Sequence, residues 1–182
     1  MYMNITKGRP AGFEARSRIE REVYDRLDEL GIGFDTIDHE PAATMDVCEA
    51  VSAAAGCSIF KNLFLCNRQQ TQFYLVLIPA DKPFKTKYIS SQLGCARLSF
   101  GPPEMMERLL GVTPGAVTPL GLLRDTEKVI RVAVDRDLLA SPTVGCHPGV
   151  NTSTVRMPLA DLLERYIPST GHDITLVDLP AE

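Results

Sequence analysis

Ile19, Val23, Leu27 and Leu30 recur at three- and four-residue intervals with charged residues between them, the spacing of a helix that buries one face. The spacing predicts a helix over about residues 13–30, ended by Gly31 as a C-cap. Residues 34–37 read as a short strand. His39-Glu40-Pro41 reads as a bend, because proline disfavours helix in the residue before it. Thr44 or Asp46 caps a second predicted helix that runs to about Ala55 and stops at Gly56. Residues 59–66 and 73–79 are rich in β-formers and joined by a polar run, so they read as neighbouring antiparallel strands. Helices are further predicted over 85–93, from Pro102-Pro103 to just before Gly111, and over 158–166. Strands are predicted over 97–100, 129–134, 152–157 and 174–177.

Helices and strands mix without the regular alternation of a wound parallel sheet, so the pattern predicts the α+β class with a curved, mostly antiparallel sheet. The 182 residues suit one domain of roughly 100–200 residues, giving a single domain over 1–182 with 1–31 as an appended N-terminal helix. Hydrophobic residues make up 45% and charged residues 23%, which excludes a disordered chain, a collagen-like fibre and a coiled-coil rod. Apolar runs such as 74–78 fall far short of the ~20 residues of a membrane helix, and residues 1–12 lack a secretory pattern. The expectation is a cytoplasmic protein with no membrane partner.

Cys48, Cys57, Cys66, Cys95 and Cys146 are odd in number and include no close pair, so they read as reduced thiols rather than disulfides or metal ligands. The formal net charge of -4 argues against a general nucleic-acid binder, and no DNA partner is expected. Residues 82–103 nevertheless carry Lys82, Lys85, Lys87 and Arg97 and no acidic residue. That run is either a solvated face or a strip that contacts phosphates.

Three features do not fit a plain core. Lys61 sits within Ile59-Phe60-Lys61-Asn62-Leu63-Phe64-Leu65, where both faces of a strand mix apolar with polar side chains. Either this is an edge strand whose lysine reaches water, or the amine faces inward and meets an anionic or carbonyl-bearing ligand. Residues 110–121 hold three glycines and two prolines, the composition of a stiff loop whose free N–H groups can hold an oxyanion, or of a rigid connector. His147, before Pro148 and four residues from Asn151, is a possible general base in a turn, or a satisfied loop histidine. Cys146 and His147 are sequence neighbours whose side chains point apart, which disfavours a nucleophile pair. His39 and His172 read as exposed loop residues.

Together these residues resemble the YbaK/ProX family of aminoacyl-tRNA deacylases, related to the editing domain of bacterial prolyl-tRNA synthetases. The resemblance rests on Lys61-Asn62-Leu63-Phe64-Leu65, Leu98-Ser99-Phe100, Gly115-Ala116-Val117-Thr118-Pro119 with Leu120-Gly121-Leu122, and His147-Pro148 followed by Asn151, over about residues 31–167. It implies a mixed, barrel-like sheet flanked by helices, and a trans-acting hydrolase that clears mischarged tRNA(Pro), foremost Ala-tRNA(Pro), without metal or cofactor. It implies Lys61, Gly115 and His147 as catalytic residues. It places Asn62, Thr44, Phe60, Leu65, Ala116, Val117, Thr118, Pro119 and Asn151 around the substrate. The partner is the acceptor end of the mischarged tRNA, and prolyl-tRNA synthetase is an allowed second partner. Alternatives are a Cys- or Ser-tRNA deacylase of the same family, and a tRNA- or nucleotide-binding module without turnover.

Overall fold

The computed structural model describes residues 2–181. Helix α1 (Arg18–Glu29) starts at Ser17, whose backbone N–H donates to the Glu20 carboxylate at 3.0 Å. It buries Ile19, Val23, Tyr24 and Leu27, as the apolar spacing requires. The predicted helix is shorter at its start, because Arg16 is extended and sets apart a 3₁₀ turn at Phe13–Ala15. The N-terminal segment is also more than an appended helix. Strand β1 (Met3–Lys7) pairs antiparallel with β2 (Asp35–His39), and α1 shares the main core with Phe64, Leu75 and Ile167. An edge strand such as β1, with Ile5 45% exposed, buries too little to show an apolar pattern.

Helix α2 (Met45–Ala55) ends at Gly56, whose φ of 66° is the left-handed conformation glycine adopts freely. Then come β3 (Ser58–Asn67), β4 (Phe73–Pro79), helix α3 (Thr86–Leu93), β5 (Leu98–Phe100) and helix α4 (Pro103–Leu110). A 3₁₀ turn at Pro119–Arg124 leads to β6 (Ile130–Asp135), and another at Arg136–Ala140 to β7 (Thr143–Cys146). Strand β8 (Ser153–Pro158), helix α5 (residues 159–169, with a π turn at Leu162–Tyr166) and β9 (Ile174–Val177) complete the order. Only β1 and β7 among the strands lack a forerunner in the sequence pattern. Strand β7 is short and glycine-containing, and exists because it bridges β3 and β8.

The strands form one mixed sheet in the order β1-β2-β8-β7-β3-β4-β6-β9, with β5 also on β3. Antiparallel pairs predominate, and β3–β7, β4–β6 and β6–β9 are parallel. One face carries Phe60, Phe64, Leu75 and Leu77 against α1, α4 and α5, and the other carries Leu65, Val76 and Ile78 against Ile89 and Leu93 of α3. No helix among the described residues is long and apolar enough to cross a membrane.

One feature of β3 positions the site. Strand β7 pairs with it only at Ser58 and Ile59, and β5 only at Leu65, Cys66 and Asn67. Between them, residues 60–64 are bonded to β4 on one side and have no strand on the other among the described residues.

Candidate active site

A cavity of about 350 Å³ opens along this bare edge. Residues 59–63 of β3 form its floor, Ala42, Ala43, Thr44, Met45 and Cys48 one wall, and Gly115 and Val117 another. Gly145, His147 and Thr154 close the far end. Phe64 accepts the Gly101 N–H at 2.9 Å on the β5 side, so the alternating ladder aims the Phe60 and Asn62 backbone groups at the same edge. The Asn62 amide donates to the Phe60 carbonyl at 3.4 Å, and that bond orients its Oδ1 as an acceptor. This buried oxygen has no partner among the described residues.

Lys61 is half-buried on the cavity floor, and its Nζ donates to the Lys82 carbonyl at 2.7 Å. Lys82 is itself only 6% exposed, with its ammonium 2.6 Å from Asp135 and 2.7 Å from Asp137. Burial works against that charge, yet the two carboxylates hold its pKa above the ordinary lysine value. Lys82 therefore does not belong to a phosphate-contacting strip. It anchors the loop whose carbonyl receives Lys61. Removing it strands the buried Asp135 charge, so Lys82→Met is expected to lower stability by about 3–5 kcal/mol in urea denaturation. A loss below about 1 kcal/mol would show that water reaches Asp135 freely.

His147 Nδ1 lies 2.8 Å from the Ser153 carbonyl. A carbonyl only accepts, so the proton sits on Nδ1 and the neutral ring keeps a bare Nε2. Burial lowers the His147 pKa, more than the bond to Ser153 offsets. His39 stacks obliquely beside it, with ring centroids 6.2 Å apart. The Glu40 carbonyl takes the His39 Nδ1–H at 2.7 Å, and His39 Nε2 therefore accepts from the Thr154 hydroxyl at 2.8 Å. His39 is 4% exposed and braces a cavity-lining residue, contrary to its expected place in an exposed loop. His172 is corrected likewise: it is 4% exposed and bonded to Asp125 at 2.8 Å, tying the loop before β6 to the start of β9. Cys146 is buried in the main core, where burial pushes its thiol well above the ordinary range, so it offers no thiolate beside His147.

The structure thus brings Lys61, Asn62, Phe60, Thr44, Gly115, Val117 and His147 to one cavity. Thr44 precedes α2 without a side-chain cap bond, which leaves its hydroxyl to the cavity. Gly115 has a φ of 88°, and no described residue accepts its N–H. Five expected substrate contacts lie elsewhere. Leu65 is fully buried in the α3-side core, because its face of β3 is covered there. Ala116 packs into the main core, and Pro119 is buried at the start of the 3₁₀ turn. Thr118 is buried and its hydroxyl accepts the Leu120 N–H at 3.2 Å, so it caps that turn. Asn151 is outside the lining but beside it: its Nδ2 is 3.7 Å from where a Gly115 Cβ would be, and its carbonyl accepts the Ala42 N–H at 2.8 Å. Sequence reasoning missed the polar Thr154, the close-packed Gly145 and the apolar lining from Ala42, Ala43, Met45, Cys48, Ile59 and Leu63, and it missed His39, which stands outside the lining and braces Thr154. No local signal marks Thr154 or Gly145, since strand pairing alone brings them to the cavity.

The model of the aminoacyl-tRNA editing domain family matches residues 39–164. The chain is 31% identical over 160 residues to the prolyl-tRNA editing protein ProX of Acetoanaerobium sticklandii, covering 88% of this chain and 97% of that one. It is 32% identical over 157 residues to prolyl-tRNA synthetase associated domain-containing protein 1 of Danio rerio, covering 85% and 84%. The solved structure of a candidate trans-editing enzyme for prolyl tRNA synthetase superimposes with a TM-score of 0.69 at 22% identity, covering 91% of this chain and 100% of that one, and supports the fold alone.

Proposed function

The chain belongs to the aminoacyl-tRNA editing domain family, hydrolases that deacylate aminoacyl-tRNA, and from that premise we propose that it clears mischarged tRNA(Pro) in trans, with Ala-tRNA(Pro) as preferred substrate. One observation carries the reading: Lys61, Asn62 with its unpartnered amide oxygen, and His147 with its neutral imidazole line one small cavity with apolar walls. The relative named for prolyl-tRNA editing supports tRNA(Pro) as the carrier, and the one named for association with prolyl-tRNA synthetase supports that enzyme as the source of the error.

An aminoacyl ester is already activated, so a placed water and charge stabilisation suffice. The His147 Nε2 takes a proton from water as the oxygen bonds to the ester carbon. Negative charge then develops on the carbonyl oxygen, facing the Lys61 ammonium and the Gly115 N–H. Collapse breaks the bond between the acyl carbon and the ribose oxygen. His147 returns the proton to that oxygen, leaving free amino acid and tRNA. Asn62 Oδ1 accepts a hydrogen bond from the substrate's ammonium or ribose hydroxyl.

A synthetase rejects a smaller amino acid poorly, since one methylene is worth only ~1–3 kcal/mol. A second pocket sieves by size instead, and Phe60, Val117 and Ala42 are the walls that would admit alanine and exclude proline. The test is a deacylation panel on tRNA(Pro) charged with Ala, Cys, Ser or Pro. The expected result is a rate on Ala-tRNA(Pro) at least about 10-fold above the others. Dominant hydrolysis of Cys- or Ser-tRNA would reassign the substrate, and salt-dependent tRNA binding without ester loss would make the protein a binding module.

A further inference from the structure

Among the described residues no large hydrophobic side chain is more exposed than Phe100, at 62%. It belongs to no core cluster. Its Cα is paired with that of Leu65 across β3–β5, and cross-strand partners share a face. Residues two apart on a strand also share a face, so Phe100 stands on the side of the sheet that carries Leu63 and Lys61. The Phe84 ring lies 6.4 Å from it at 60°. Phe84 comes from the loop that also supplies the Lys82 carbonyl to Lys61. Lys85, next to Phe84 in the chain, is exposed, as are Lys87 and Arg97 of the same segment, and residues 82–103 include no acidic side chain.

We propose that Phe100, supported by Phe84, is a stacking platform for the unpaired 3′-terminal nucleotides of tRNA, leading the aminoacyl end into the cavity. The direction into the cavity rests on the deacylase reading above. The chemistry follows from what an exposed aromatic among cations binds. Every base offers a π-face to an aromatic ring, and the cations of an acid-free segment, Lys85 foremost, neutralise the phosphates between bases. The length also fits. Leu65 lies four residues from Lys61, about 13 Å along a strand. At ~3.4 Å per stacked nucleotide that is the length of a tail of three to four nucleotides.

The test uses the full-length protein and a fluorescent acceptor-stem RNA hairpin with an unpaired CCA tail, beside the same hairpin without the tail. Phe100 supports no core, so Phe100→Ala leaves the fold intact. It is expected to weaken binding of the tailed hairpin about 10-fold or more, and Phe100→Trp to restore it. The tailless hairpin is expected to bind weakly to wild type and variant alike. Equal affinity of wild type and Phe100→Ala for the tailed hairpin overturns the platform, whether or not mischarged tRNA is hydrolysed. Equal affinity with a dimer lost in Phe100→Ala would assign the patch to self-association instead. If wild type hydrolyses no aminoacyl-tRNA while Phe100-dependent binding of the tail persists, the platform stands and the deacylase reading fails.

Discussion

Lys61→Ala is expected to lower kcat/KM for deacylation of Ala-tRNA(Pro) by about 10²–10³-fold, the usual effect of removing one group aimed at a developing oxyanion. The lysine is held for this task by a bond made far from itself in sequence, from Nζ to the Lys82 carbonyl at 2.7 Å. That carbonyl is in turn held by the Lys82–Asp135 ion pair. Stability is expected to change by only about 1 kcal/mol, because one half-buried hydrogen bond is lost and no buried charge is stranded. Lys61→Arg is expected to recover little, since a planar fork replaces a compact charge in a cavity of about 350 Å³. Single-turnover assays beside denaturant titration check both expectations. A loss under about threefold in Lys61→Ala, with folding intact, would remove the ammonium from the mechanism.

His147→Ala is expected to lower the deacylation rate by about 10²–10⁴-fold, the range of a general base. The pH profile separates that role from mere packing. The base works only as neutral imidazole, and burial lowers the His147 pKa from 6.5. Wild-type activity should therefore hold as pH falls to 6.5 and drop at a midpoint below it, as Nε2 is protonated. His147→Ala should lose that acid limb along with the rate. Stability follows the same sign. In the window between the lowered folded pKa and the unfolded value of 6.5, the unfolded chain binds the proton more readily. The contribution is thus complete above 6.5 and is lost as pH falls through that window. An acid limb that survives in His147→Ala would assign the base elsewhere.

The apolar periodicity of α1, the glycine stops after α2, α3 and α4, and the β-rich runs of β3, β4, β6 and β9 were all legible along the chain. Each is a local property, in which propensity, breaker and burial pattern agree within a few residues. Strands β1 and β7 were not legible, because each owes its existence to partners distant in sequence. The candidate site divides the same way. Lys61, Gly115 and His147 stood out as polar or strained positions in segments that did not otherwise call for them. Leu65 shares the Lys61 motif, yet the α3-side core buries it, so proximity in sequence misplaced it.

By itself, then, the sequence determined the α+β class, the main helices and strands, and an ammonium, a glycine-rich loop and a histidine set among apolar neighbours. It could do so because turn chemistry, helical spacing and the cost of burying charge are written within short stretches of chain. Only the tertiary structure decided that Lys82 is an anchor rather than a phosphate ligand, that His39 braces Thr154, and that the Asn62 oxygen is left without a partner. The first two are bonds between residues 53 and 115 positions apart, and the third arises where β3 leaves β7 before meeting β5; such long-range pairings and the edges they leave bare are properties of no single segment.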